Sequence, residues 1–423
     1  MLNSNRYLLG LTWLVAIFLV PFPFVQTLSA GLPAIYNQDK TMILFGTIAY
    51  SWMLLAMYIS TRPKWLDRLI GLPNAYMIHG ILSLAAIVLA YLHKSNLRSD
   101  GWIKLTGNWA LYLFIGLGLY SMIFMAGWLT NRVPALRWIK QSLERVFKHE
   151  VSILIHRLNV VATGLIFIHV LLIPYIRQIV PFTVLFVAAS LFVFGAYAMT
   201  FVHRRLITAK LINNVEIKPN VRQLTLKLHK HLDIYPGDFV FLSFPKVKLM
   251  KEPHPFSIVN APSDSNELVL AIRGDGDFTR QLATIQVNES VVINGGFGMY
   301  QSVINENHPD NLMIIAGGIG IVPLLSIVDG NPDLKTTIFY SVSNENNLLY
   351  QDKFDQWEQR DNFRVFRQIG RFNQEAIANR LPKNTQKTVV LIGGPDKMGT
   401  QWIKNLRRLG VRRSQIYYER FSW

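Results

Sequence analysis

The chain has 423 residues, 51% of them hydrophobic, and its 43 Lys and Arg against 26 Asp and Glu give a formal charge of +17. It has no cysteine, which excludes disulfides, thiolate-bound metals and cysteine-ligated iron–sulfur clusters. No nucleic-acid-binding motif accompanies the basic excess, so no nucleic-acid partner is expected; much of the excess flanks apolar stretches, where it suits anionic lipid headgroups.

Only Asp39, Asp67, Asp100, Glu144 and Glu150 precede position 204; the remaining acidic residues all follow it. The first half therefore reads as membrane protein and the second as soluble protein. Six stretches are long and apolar enough to span a bilayer, at about 7–28, 42–59, 76–92, 109–129, 151–173 and 179–202. The first contains Pro21 and Pro23 but no small-residue cleavage site, and is read as a true span rather than a signal peptide. Twelve Lys and Arg in one set of loops face five in the other, which places both termini and the soluble half in the cytoplasm of a multi-pass cell-membrane protein.

The third and fifth spans each carry two histidines, His79 with His93 and His156 with His169. The separations, 14 and 13 residues, are close to four helical turns, so each pair lies on one face of its helix. At 1.5 Å per residue the two levels differ by roughly 20 Å. A lone histidine in an apolar helix is usually a satisfied polar group. An ionisable side chain at membrane depth is nevertheless costly and defaults to a functional role. The two spans run in the same direction, which puts His79 level with His156 near the inner face and His93 level with His169 near the outer face. Facing neutral imidazoles can close both axial positions of a haem iron, and two such pairs predict two haem b groups. His149 reads as interfacial, His203 as a snorkelling end residue or a contact to haem propionate or flavin, and His229, His231 and His308 as solvated.

After Arg205 the periodicity changes. Short β-rich segments separated by Gly, Pro and Asn predict a small antiparallel barrel over 204–308. From 309 to 423 the order of strand, Gly-rich turn and helix predicts an α/β domain with a parallel sheet. In the barrel, His254-Pro255-Phe256-Ser257 would expose an aromatic ring on one face of a strand and a hydroxyl on the other, although an ordinary strand start fits as well. The run from Gly274 to Arg280 reads as a turn entering a helix, where Thr279 and backbone N–H groups could receive a pyrophosphate. Gly317, Gly318 and Gly320 join a buried strand to a helix and permit close approach of a phosphate, while Gly394 and Pro395 end a later strand of the same sheet.

Order and spacing together resemble the NADPH oxidase and ferric reductase superfamily, in which a six-span haem domain over 1–203 is fused to a dehydrogenase like ferredoxin–NADP reductase. The histidine spacings, the HPFSI run, AGGIGIVP at 316–323 and the YYERFSW ending carry the resemblance. It is nearest to compact bacterial members that lack calcium-binding or subunit-binding appendages, so no obligatory protein partner is expected. The resemblance implies FAD held by His254, Pro255, Phe256, Ser257, Arg273 and Thr279. It implies NADPH at Gly317, Gly318, Gly320, Ser343, Tyr350, Arg371, Gly394 and Pro395, the last two in a run where many members have a cysteine that this chain lacks. Arg371 would meet a 2′-phosphate, Glu345 nearby would oppose it, and NADH stays open. Phe256, Gly394 and Trp423 are the residues expected beside the reacting rings, with Trp423 stacking where nicotinamide docks. The implied activity is electron transfer to O2, giving superoxide, or to a ferric chelate or quinone. A six-span transporter with a nucleotide-sensing domain remains as a different class, but it leaves the four histidines and the flavin segment without a role.

Overall fold

The computed structural model describes residues 5–124, 149–203, 208–261, 266–382 and 385–419. The chain divides into two compact units, at 4–202 and 203–421.

Six helices in the first unit are long and apolar enough to cross a membrane: α1 (Tyr7–Gly31), α2 (Lys40–Ser60), α3 (Leu72–Asn96), α4 (Gly101–Phe124), α5 and α6 (Val180–His203). Helix α5 runs as His149–Arg157 and Asn159–Leu172, with a break at Leu158. Pro21 and Pro23 lack the N–H groups a regular ladder would use, and α1 accommodates them with a π-helical turn at Val15–Leu19 just before. Helix α4 begins at Gly101, well before the expected position 109, because Lys104 in its first turns is exposed at the helix end instead of terminating it. The rest of the fourth expected span, 125–129, lies outside the described residues.

Small residues bring the central helices together. Ala49, Ala86, Ala110 and Ala162 are almost fully buried and share a cluster with Met53 and Phe114. With lipid outside, such helices gain little from hydrophobicity alone, and close backbone approach supplies the packing. Ala86 lies seven residues from both His79 and His93, so this cluster fills the zone between the two histidine levels.

The second unit contains two sheets. The first is antiparallel and built from β1 (Thr208–Lys218), β2 (Val221–Leu228), β3 (Phe239–Ser243), β4 (His254–Ser257), β5 (Glu267–Arg273) and β6 (Ser290–Phe297), in the order β4-β3-β6-β1-β2-β5. Alternating apolar residues such as Leu224, Leu226, Leu242 and Leu270 are buried on its inner side. The sequence predicts a barrel, and a closed barrel is not shown. The two ends of the sheet meet through a single bridge between Ile258 and Leu270, with no ladder joining β4 to β5 among the described residues. A short helix α7 (Asp277–Gln281) follows β5, and α8 (Tyr300–Asn307) leads out of the sheet.

The second sheet is parallel, as expected. It comprises β7 (Asn311–Gly317), β8 (Lys335–Val342), β9 (Phe363–Ile369), β10 (Thr388–Gly393) and β11 (Ile416–Tyr418), in the order β11-β10-β7-β8-β9. Helices α9 (Val322–Gly330), α10 (Gln351–Trp357), α11 (Gln374–Ala378) and α12 (Asp396–Arg408) connect the strands. The chain goes one way from β7 to β8 and β9 and returns to the other side of β7 for β10. The switch point therefore lies between β7 and β10, and the crevice beyond their carboxyl ends is where ligands bind in such sheets.

Candidate functional site

The membrane unit brings the four predicted histidines together as two facing pairs. The ring centroids of His79 and His156 are 6.0 Å apart at 61°, and those of His93 and His169 are 6.5 Å apart at 81°. Imidazole–metal bonds of about 2.0–2.1 Å place two rings on opposite sides of one ion roughly 6 Å apart, centre to centre.

Each ring is anchored through Nδ1. His79 Nδ1 lies 2.8 Å from the carbonyl of Ala56, and His93 Nδ1 lies 2.8 Å from that of Met42, both on α2. His169 Nδ1 lies 2.8 Å from the carbonyl of Ile103 on α4. A carbonyl can only accept, so Nδ1 carries the proton in these rings and Nε2 keeps its lone pair for a ligand. The fourth ring reaches the same state by another route. Ser121 Oγ donates to the carbonyl of Leu117 at 2.7 Å, which leaves it to accept from His156 Nδ1 at 2.8 Å. Helix α2 thus orients the histidines of α3, and α4 orients those of α5.

Close approach is secured by glycine. A Cβ on Gly46 would lie 2.6 Å from His93 Nδ1, and one on Gly107 would lie 3.1 Å from His169. Each glycine stands four residues after the carbonyl that its histidine uses, Met42 and Ile103, so the missing side chain opens the path from ring to backbone. Ser121 and these glycines were not singled out from the sequence.

In the soluble unit, β4 is an end strand of its sheet, a position that tolerates Pro255, which has no N–H to give a second neighbour. All four residues of His254–Ser257 are partly exposed. Phe278 of α7, missed in the sequence, packs 4.3 Å from His254 and 5.8 Å from Phe256 between ring centres, and so ties α7 to the strand. Arg273 is half-exposed and held by Asp275 at 2.7 Å; an exposed pair of this kind is weak enough to yield to a phosphate. Thr279 lies at the start of α7. Its hydroxyl accepts from Gly276 N–H at 2.8 Å and donates to the Gly276 carbonyl at 3.0 Å, capping its own helix.

At the switch point the two glycine loops touch backbone to backbone. A Cβ on Gly320 would fall 2.4 Å from the carbonyl carbon of Gly393, and one on Gly393 would fall 2.1 Å from the Gly320 oxygen. Gly318 has φ +53 with open space beside its Cα, and Gly394 has φ +150, conformations that favour glycine. Together they leave main chain, not side chain, facing the crevice. Two further residues brace this region without a sequence signal: Met398 of α12 packs against both Gly317 and Gly394, and the Tyr418 hydroxyl lies 3.0 Å from the Gly394 carbonyl and 2.8 Å from Asp396.

The adenosine-end residues separate. Ser343 and Arg371 are exposed beyond β8 and β9, and Ser343 accepts from Asn347 at 2.8 Å. Tyr350 is turned inward, with φ +56, and its hydroxyl donates to Gln223 of β2 at 2.9 Å. Burial pushes the Tyr350 phenol above its ordinary range and Tyr340 up to about 12, so both remain neutral donors at physiological pH. Pro395 caps the start of α12 beside Gly394. Glu419 is buried, while Phe421 and Trp423 lie outside the described residues.

Comparison with known proteins matches residues 204–396 to a FAD-binding domain family. A dihydroorotate dehydrogenase B (NAD(+)) electron transfer subunit from Lysinibacillus sphaericus is 29% identical over 150 residues, 34% of this chain and 57% of that protein. NADH-cytochrome b5 reductase 1 of Dictyostelium discoideum is 24% identical over 168 residues, 36% of this chain and 58% of that one. Ferric reduction oxidase 8, mitochondrial, of Arabidopsis thaliana is 32% identical over 117 residues, 25% of this chain and 16% of the other. The chain thus spans less than two thirds of each of these relatives. A solved ferredoxin NADP+ reductase from Neisseria gonorrhoeae aligns with 50% of this chain and 97% of its own, at 19% identity and a TM-score of 0.42.

Proposed function

We propose that this chain, a ferric reductase and NADPH oxidase-like fusion of six apolar helices with a ferredoxin–NADP reductase-type FAD-binding domain, carries electrons across a membrane from cytosolic NADPH to an acceptor on the opposite face. Its parts are a di-haem span domain at 1–203, a FAD domain at 204–308 and an NADPH domain at 309–423. The observation that carries the reading is the facing of four anchored imidazoles in two pairs, 6.0 and 6.5 Å between centres.

Two imidazoles alone complete no ordinary metal site, and among the described residues no cluster of three or more His, Asp or Glu side chains could hold a bare ion. A metal that brings its own four equatorial ligands fits such a pair, and an iron porphyrin is that group. His79 and His156 would hold the inner haem, His93 and His169 the outer one. When bound, FAD accepts a hydride and releases single electrons, and haem iron with both axial sites closed passes them on without binding gas.

The chain's own part is positioning. Ala56, Met42, Ile103 and Ser121 fix the ring orientation and leave Nε2 as the ligand atom. Phe256 presents its ring, and Arg273 its charge, on the flavin side of β4 and β5. The glycine loops at the switch point let nucleotide phosphates approach main-chain N–H groups, and Gly394 with Pro395 bounds the nicotinamide end. Arg371, exposed beyond β9, would meet the 2′-phosphate and favour NADPH over NADH. Trp423 would stack on the flavin where nicotinamide must dock. The Lys and Arg asymmetry of the loops favours cytoplasmic termini.

His93 and His169 would hold the group that hands electrons to the acceptor, and O2, giving superoxide, is the preferred acceptor. Ferric chelate is the second reading, supported by Arg98, Lys104 and Arg177 in the opposite loops, which suit an anionic chelate. Steady-state NADPH oxidation in detergent, with O2 or ferric chelate as sole acceptor, separates them. Superoxide dismutase should abolish cytochrome c reduction if O2 is the acceptor. Turnover with neither acceptor above the flavin-dye background would defeat the transmembrane reading.

A further inference from the structure

At the amino end of the parallel sheet, opposite the glycine loops, lies a cavity of about 330 Å³. It opens on the face of the sheet where Asn311, Lys335 and Thr388 stand side by side on β7, β8 and β10, with Thr337 and Arg364 paired on β8 and β9. Its charged lining is Lys335, Arg364 and Arg380, with no acidic side chain. Neither Lys335, Arg364 nor Arg380 forms an ion pair within the described residues. Arg380 is held over the Phe366 ring at 4.3 Å and by the Ala376 carbonyl at 2.9 Å, so its position is fixed by the fold.

One group in this cavity stands out on hydrogen-bonding grounds. Thr388 is 1% exposed, yet its hydroxyl has no hydrogen-bond partner among the described residues. Native structures seldom keep a buried hydroxyl without a partner unless it has a role. Three exposed cations and this buried hydroxyl border one space. The length of β7, at roughly 3.3 Å per residue, separates that space from the glycine loops by about 20 Å.

We propose that this cavity is a second anion site that binds a phosphate monoester, independent of the nicotinamide-nucleotide crevice at the other end of the strands. Guanidinium and ammonium groups suit a phosphate dianion, and the Thr388 hydroxyl donates to one of its oxygens. The apolar part, formed with Phe366 and Pro382, takes a compact organic group; the volume is at the small end of ligand cavities. The shared chemistry is phosphate, whether free or esterified to a nucleoside.

The test is calorimetric titration of the full-length, FAD-loaded chain in detergent, with NADP+ saturating so that the crevice is filled. AMP and inorganic phosphate are titrated separately. We expect saturable binding of at least one, with AMP tighter if the organic wall is used and phosphate equal to it if the free ion is the ligand. Lys335→Gln with Arg364→Gln should weaken binding at least about tenfold, as the loss of charge-assisted hydrogen bonds implies, and Thr388→Val about threefold. Flavin content and dye reduction should stay as in the parent, since none of these three residues lies at the crevice. Absence of saturable binding by both probes, or unchanged affinity in the Lys335→Gln/Arg364→Gln chain, overturns the proposal. If that double variant does not fold, Thr388→Val with unchanged affinity overturns it equally.

Discussion

Gly46 lies so close to the imidazole of His93 that a Cβ built there would fall 2.6 Å from Nδ1. The ring reaches the Met42 carbonyl only because the next turn of α2 carries no side chain on that side. Gly46→Ala should therefore push His93 off its anchor at a cost of about 1–3 kcal/mol. We predict loss of most of the outer haem from the purified chain while the inner one stays. Haem quantified per chain checks this, and an unchanged content in Gly46→Ala would mean that the ring relaxes without loss.

The inner level has its own anchor. Ser121→Ala removes the acceptor of the His156 Nδ1 proton, and loss of such a partner typically weakens metal binding 10–100-fold. Ser121→Ala should shift the midpoint potential and lower the occupancy of one haem only, and Ser121→Thr should restore both. A pure folding defect would instead lower both haems and the flavin together, which distinguishes the two.

Gly320 and Gly393 hold the two loops of the switch point in backbone contact. In Gly393→Ala the new Cβ would stand 2.1 Å from a carbonyl oxygen, and the loops must part. NADPH-driven reduction of a soluble dye should show KM raised about tenfold or more, the size of a 1–3 kcal/mol strain, with flavin content unchanged. An unaltered KM would show that nucleotide does not bind at these loops.

The Tyr418 hydroxyl steadies the Gly394 carbonyl at 3.0 Å. Tyr418→Phe removes the one phenolic proton that the Gly394 carbonyl and the Asp396 carboxylate share, worth about 0.5–3 kcal/mol, and should lower dye-reduction kcat/KM by roughly twofold or more. Arg371 provides the companion measurement. Arg371→Ala should raise KM for NADPH while leaving NADH nearly untouched, because only the former carries a 2′-phosphate. Equal effects on both nucleotides would remove Arg371 from that role.

The histidine pairs were legible because helix periodicity alone puts residues 13 or 14 apart on one face, and the structure faces them as expected. Their anchors were not, since a backbone carbonyl such as that of Ala56 carries no residue-type signal. Alternation made β4 and β5 readable, but the antiparallel sheet closes through one bridge, Ile258 to Leu270, and not through the ladder that a barrel implies. Closure depends on register between distant strands, which short-range pattern does not encode. Tyr350 shows the same limit. Its sequence neighbourhood suggested nucleotide, whereas its hydroxyl meets Gln223, 127 residues away, and joins the two sheets' domains.

Haem bound per chain, measured by pyridine haemochrome on protein purified after growth with ample haem precursor, tests imidazole coordination most directly. We predict two haems in the parent and one each in His79→Ala and His93→Ala, with NADPH-to-dye reduction nearly unchanged. A parent without a Soret band, or either variant retaining both haems, would contradict the assignment.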